Sequence, residues 1–230
     1  MAAHLTHLAL AGVRDLDIYV VYAETSLSIP EHNEFVKRVA GMMGWRLRVV
    51  KPSTDFVECV RRWGAPNLKR RWCKQVMKVE PTTRFVKQQP PKRLAVFGLK
   101  KHDVTRRNLT QMTWMPEMGA RIINPLWAWN NRMVRAYLRK FKIPESPIYA
   151  TLGKCIGDCV CVLYVKPWQL HIIRALYPSV WKKLEEIDRA LRGKLFCRSG
   201  GGKPKLYSLH EYLALARYSK PLIAFSRFKR

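Results

Sequence analysis

Acidic residues are scarce: 16 Asp and Glu stand against 43 Lys and Arg, leaving a formal charge of +27. A surface so one-sided repels itself unless it meets an anion, which turns attention to phosphate-bearing partners. No run of eighteen uninterrupted apolar residues occurs, so no membrane-spanning helix and no membrane partner are expected. The N-terminal stretch also lacks the succession of basic region, apolar stretch and small-residue cleavage site that marks secretion. The expectation is a cytoplasmic protein whose thiols stay reduced. Cysteines number only six, and in such a compartment disulfide bonding is the least expected use of them. There is no internal repeat. Nor does the glycine-rich "RSGGGKPK" (198 to 205) follow an apolar strand or end in GK[ST], so it reads as a flexible hinge before a short basic C-terminal segment.

What is present suffices for one good core, with 48% hydrophobic and 11% aromatic residues. Lys and Arg run through "RRWGAPNLKRRWCKQVMK", "PPKRLAVFGLKKHDVTRR" and "RYSKPLIAFSRFKR", interleaved with Trp, Tyr and Phe. Phosphate contact combined with base stacking uses that mixture. Nucleic acid, RNA in preference, is therefore the expected macromolecular partner, with Lys69, Arg70 and Arg71 as contacts; a solvated basic surface is the alternative. Short apolar runs at 16 to 24, 47 to 52 and 93 to 100 suit parallel strands covered on both faces. Between the first two, Pro30 can open a helix, Glu31 and Glu34 suit its positive end, and Phe35, Val36, Val39, Met42 and Met43 give it an apolar face. Further helices are expected at 2 to 11, 54 to 63, 127 to 141, 178 to 191 and 209 to 218. The paired prolines of "KQQPPKR" (87 to 93) exclude helix and central strand. The fold class expected is α/β, an open, mostly parallel sheet with helices on both faces over residues 1 to 165, plus a small basic helical extension over 166 to 230.

Several blocks, in order, resemble the phosphoadenosine phosphosulfate reductase family of the adenine nucleotide alpha-hydrolase-like superfamily. They are "VVYAETSLSIPEHNEFVKRVAGMMGWRLRVVKP", "RRWCKQVMKVEP", "VFGLKKHDVTRR" and "INPLWAWNNRMVRAYLRKFKIPESPIYATLGKCIGDCVC". The resemblance covers roughly residues 1 to 165, and its last block is the most specific. It implies a sheet whose strand C-terminal ends hold an adenine nucleotide, where open α/β sheets place ligands in general. The family's nucleotide-contacting loop maps to Glu24, Thr25 and Ser26, and its cysteine and lysine block to Arg71, Cys73 and Lys78. Its glycine, arginine, acidic, serine, arginine block maps to Gly98, Lys100, Asp103, Val104 and Arg107. Thr25, Ser26, Lys78, Lys100 and Arg107 are thus the expected nucleotide contacts. Lys100 stands where the family has arginine and cannot reproduce a bidentate contact.

Two family features have no counterpart. The opening "MAAHLTHLALAGV" resembles the helix that follows the family's S-G-G-K-D-S loop, so either the start is truncated or the loop has been lost. The reductases' E-C-G-x-H motif is also missing, and Cys197 in "LFCRSGGGK" stands alone, so a conventional reductase is not expected. The resemblance therefore implies sulfur-related adenine nucleotide chemistry, with a nucleic acid as one substrate class, or else a non-catalytic module that binds RNA or a ribonucleoprotein.

The cysteines of "LGKCIGDCVCVLY" follow C-x3-C-x-C spacing, unlike the C-x2-C of a zinc ribbon. Relatives of the reductases pair a cysteine of the "WC" block with this later block around a four-iron cluster. On that resemblance Cys73, Cys155, Cys159 and Cys161 are the candidate thiolate ligands. An iron-sulfur cluster, a zinc site and buried or free thiols are the three outcomes weighed. Cys59 sits with Val57 and Val60 on a core-facing helix. Packing is also the reading of His4, His7, Trp127, Trp129, Trp168 and Trp181. His102 and Asp103 belong to the loop that would face the nucleotide, and His171 is a core or surface histidine.

Overall fold

Apolar runs separated by an amphipathic helix are the recipe for parallel pairing, which needs a long crossover. A computed structural model, describing residues 1–103, 109–153, 159–198 and 205–218, contains two parallel pairings, the first of which has such a helix between its strands. Strand β1 (Val20–Ala23) runs parallel to β2 (Leu47–Val50), with Val20 opposite Leu47, and α2 (Pro30–Met42) forms the crossover. Strand β3 (Leu94–Val96) runs parallel to β5 (Ala120–Ile123), and β4 (Met112–Met115) joins the other side of β5 antiparallel. The α/β class is as expected. Among the described residues the strands form separate ladders, β1-β2 and β3-β5-β4, with a third two-stranded ladder towards the C-terminus.

The elements are shorter than their apolar runs, for local reasons. Asp15, at φ 60°, lies just ahead of the apolar run 16 to 24, of which Val20–Ala23 pair as a strand. Asn130 accepts the Met133 N–H at 3.0 Å and so starts α6 at Asn131–Lys140 rather than at Trp127. Residues 72 to 87 form one helical run: α4 (Trp72–Lys74), a π-turn (Gln75–Val79) and α5 (Glu80–Lys87). Pro81 brings no N–H to the ladder, and the wider Glu80 N–H to Gln75 carbonyl pairing lies directly ahead of it.

The chain divides into two compact units. Unit 1 comprises residues 1–25, 32–53 and 74–147; unit 2 comprises 26–31, 54–73 and 148–230. In unit 1, buried Ala95, Met118, Ala120 and Ile122 form a core under the β3-β5-β4 ladder, packed by Val86, Phe97 and Met115. The first helix, α1 (Ala2–Leu10), is placed so that a Cβ on Gly98 would lie 3.4 Å from that of Ala2.

Unit 2 is mainly helical. Its α3 (Phe56–Trp63) starts at Asp55, whose carboxylate accepts the Val57 N–H at 2.8 Å. Helices α7 (Ile148–Thr151), α8 (Pro167–Leu176) and α9 (Pro178–Ala190) follow. Val180, Trp181, Leu184 and Ile187 give α9 a buried stripe at helical spacing, packed against α3 and α8. Full burial of each such leucine or isoleucine contributes about 1.5–3 kcal/mol. Strands β6 (Phe196–Arg198) and β7 (Lys205–Tyr207) then pair antiparallel, Phe196 opposite Tyr207, ahead of α10 (Leu209–Ala214). The glycine-rich stretch read as a hinge lies in sequence between these two strands, and its residues 199–204 are outside the described residues. Among the described residues, no helix is long and apolar enough to cross a membrane.

Candidate nucleotide site and cysteine loop

The segments after β3 and β5 leave the same end of a parallel pair. The Phe97 N–H still bonds the Ile123 carbonyl at 2.9 Å, and the Lys101 N–H then reaches the Trp127 carbonyl at 2.9 Å. Between these anchors the Lys100 ammonium donates to Asn131 Oδ1 at 2.7 Å and lies 3.4 Å from the Asp103 carboxylate. Its side chain is only 18% exposed, so the charge is partly desolvated and held in place rather than swept through water. Buried Asn124, just past β5, fastens the far end of the same loop. Its amide nitrogen donates to the Thr110 carbonyl at 2.9 Å and its N–H to the Gln111 carbonyl at 2.8 Å.

Of the other expected nucleotide contacts, Thr25 is buried immediately past β1 in unit 1, and Lys78 is half-buried on the π-turn of the same unit. Beside Thr25, Glu24 pairs with Lys51 at 3.3 Å. Ser26 falls in unit 2, where it hydrogen-bonds Asp55. Burial alone would raise the Asp55 carboxyl, but hydrogen bonds from Lys183, at 2.8 Å, from Val57 and from Ser26 outweigh it and hold the group below the usual carboxylate range. Ser26 is thus engaged at the start of α3. Arg107 and Val104 lie outside the described residues. Asn131, Asn130 and Asn124 escaped notice in the sequence, although "WNN" ahead of a basic helix is a capping signal.

The described cysteines all belong to unit 2. Cys73 on α4, Cys159 and Cys161 are half-buried; Cys59 is buried in α3, as a core residue should be; Cys197 is exposed on β6. Cys155 lies outside the described residues. Among the described residues no three His, Cys, Asp or Glu side chains converge to hold a metal ion. Past the cysteines the chain turns tightly: the Tyr164 and Val165 N–H groups both donate to the Cys161 carbonyl, at 2.9 and 2.8 Å.

Lys69, Arg70 and Arg71 are exposed on the loop between α3 and α4. The loop is ordered by Asn67 Oδ1, which accepts the Lys69 and Arg70 N–H groups at 3.0 and 2.8 Å. His4 and His7 pack as expected within unit 1: His4 Nδ1 lies 2.7 Å from the Tyr137 hydroxyl, and His7 stacks on Trp45. Trp181 is buried and donates to Glu185 at 2.7 Å, while His171 is exposed.

Comparison with known proteins matches residues 2–163 to the phosphoadenosine phosphosulfate reductase domain model. An uncharacterized protein of Methanocaldococcus jannaschii is 26% identical over 75% of this chain, which spans only 36% of that relative's length. An adenosine 5'-phosphosulfate reductase of Chelativorans sp. is 30% identical over 72% of this chain and 66% of its own. A crystal structure of phosphoadenylyl-sulfate reductase from Candida auris, in complex with phosphate, aligns with a TM-score of 0.48 and 23% identity, over 68% of this chain and 76% of that one.

Proposed function

The chain belongs to the phosphoadenosine phosphosulfate reductase domain family, and from that premise we propose that it binds an adenine nucleotide and serves sulfur-related nucleotide chemistry. The observation that carries the reading is Lys100, a partly desolvated ammonium held by Asn131 and Asp103 at the C-terminal end of β3. There it offers a point charge to a phosphate or sulfate oxygen. An arriving anion competes with the Asp103 carboxylate for this ammonium, and Asp103 keeps its own charge beside the site. Thr25 and Lys78 complete the contact set proposed within unit 1; of the other expected contacts, Ser26 belongs to unit 2 and Arg107 lies outside the described residues.

A nucleic-acid substrate is the finer part of the proposal. The alternative, a non-catalytic module that binds RNA, draws on the exposed Lys69 to Arg71 loop and the overall charge of +27. An iron-sulfur cluster or zinc at Cys73, Cys155, Cys159 and Cys161 would supply redox or structural chemistry. The described cysteines do not by themselves assemble a ligand set. Iron, sulfide and zinc analysis of anaerobically purified protein decides the matter.

The nucleotide reading is tested by calorimetric titration with ATP and adenosine 5'-phosphosulfate at fixed ionic strength. Losing one charge-assisted contact costs about 1.5–3 kcal/mol, so Lys100→Ala should weaken binding roughly tenfold or more. Lys182→Ala, on an exposed face of unit 2, should leave it unchanged. Equal affinities for wild type and Lys100→Ala would remove Lys100 from the site.

A further inference from the structure

Tyr164 is an aromatic residue that the fold holds outward. It is 46% exposed, yet the backbone on both sides of it is fixed. The Arg198 guanidinium donates to the Leu163 carbonyl at 3.0 Å and to the Val165 carbonyl, so one buried-edge cation brackets the turn. The same guanidinium donates to the Tyr212 hydroxyl, which itself donates to the Val165 carbonyl at 3.1 Å. Arg198 and Tyr212 come from β6 and α10, so the whole C-terminal part of unit 2 supports this turn.

The surroundings of the ring are cationic. The Arg71 guanidinium lies over it, 5.6 Å from its centroid, and Lys166 is exposed two residues on. Nearby in sequence, Arg62 lies over the Trp63 ring, which packs on the buried Trp72 with centroids 5.6 Å apart. From Cys59 to Cys73 the sequence carries five Lys or Arg and no acid, and no acid occurs from Cys159 to Leu184. An aromatic face in a rigid turn, set beside cations that reach phosphates, is the chemistry of a platform for unpaired bases; a duplex keeps its bases stacked on one another and offers only its backbone.

We propose that Tyr164 and the Arg71 loop of unit 2 form a binding platform for single-stranded nucleic acid, Tyr164 stacking a base while Lys69, Arg70, Arg71 and Lys166 contact the flanking phosphates. This deepens the nucleic-acid part of the proposed function and rests on it, but not on the nucleotide site, which lies in unit 1. RNA and DNA single strands share the required chemistry, and the 2'-hydroxyl is what separates them.

The test is fluorescence anisotropy of the full chain with a labelled mixed-sequence 12-nucleotide RNA, the DNA of the same sequence and the corresponding DNA duplex. Removing one stacked base contact corresponds to a loss of roughly five- to hundredfold. Tyr164→Ala should lose about that much affinity for the single strands and little for the duplex, and Tyr164→Phe should retain it. The triple variant Lys69→Ala, Arg70→Ala, Arg71→Ala should weaken every probe and flatten the dependence on salt. Preference for the RNA over the DNA strand assigns the source, and equal binding assigns both. Unaltered single-strand affinity in Tyr164→Ala, at an unchanged melting temperature, overturns the proposal, as does wild-type binding of duplex as tight as single strand. Retained ATP binding in these variants shows that such a failure belongs to the platform and not to the nucleotide reading.

Discussion

At His4 the imidazole is packed against Tyr137 and Phe141, with ring centroids 5.8 and 5.1 Å away, and its Nδ1 is hydrogen-bonded to the Tyr137 hydroxyl at 2.7 Å. Burial, then the Met1 ammonium, then His7 disfavour the charged imidazole and hold its pKa below the ordinary value of 6.5. The folded state therefore binds fewer protons than the unfolded one between that depressed value and 6.5. The stabilisation is complete above 6.5 and is lost as pH falls below it. Urea midpoints measured from about pH 8 down to about pH 5 should drop chiefly below the ordinary histidine pKa. His4→Phe keeps a ring in place and should flatten that drop; an unchanged pH profile would show that His4 is not its source. In unit 2 the buried Tyr177 hydroxyl donates to Glu31 at 2.6 Å, and burial followed by that acidic partner raises its pKa. Tyr177→Phe should cost about 1–2 kcal/mol, read as a shift in the same midpoint.

Among the elements, the loop read from its prolines as irregular proves to be a clamp. Arg93 donates to the Gly119 carbonyl at 3.0 Å, to Gln89 at 2.7 Å and to Lys87 at 3.1 Å, tying the end of α5 to the β4-β5 turn. Arg93→Ala should destabilise by about 1–3 kcal/mol, because three carbonyls lose a charged donor together. Gly119 sits at φ +58°, and a Cβ there would come within 2.9 Å of the Arg93 guanidinium, so Gly119→Ala should cost about 1 kcal/mol or more. Denaturant titration of both variants checks the clamp; wild-type stability in either contradicts it. The start of α2 was legible because Pro30 and the apolar spacing beyond it agree on one answer. The start of α6 was not, since Trp127 and Trp129 continue an apolar pattern and only the Asn130 cap marks the boundary. β4 and β5 escaped because half-exposed "MTWM" has no clear period, and their identity rests on pairing with each other. Lys100 was placed by resemblance, but its partner Asn131 comes from 31 residues away, and no local pattern announces such a contact.

For the molecule as a whole, charge and family membership address different parts. The family match runs over residues 2–163, whereas the excess of Lys and Arg extends along the full chain. If that charge serves nucleic acid through six or more phosphate contacts, affinity should fall on the order of a thousandfold between roughly 50 and 200 mM salt. A flat response would leave the charge as solvated surface. The nucleotide reading makes a separate demand, namely that ligand meets the protein at the C-terminal ends of the parallel strands of unit 1. Hydrogen exchange of the full chain with and without ATP, resolved by peptide, measures this directly. The account predicts slowed exchange in the segments following β1 and β3, residues 24 and 25 and residues 97 to 103, with that protection diminished in Lys100→Ala. Protection confined to unit 2, or binding of ATP without protection at those strand ends, would contradict it.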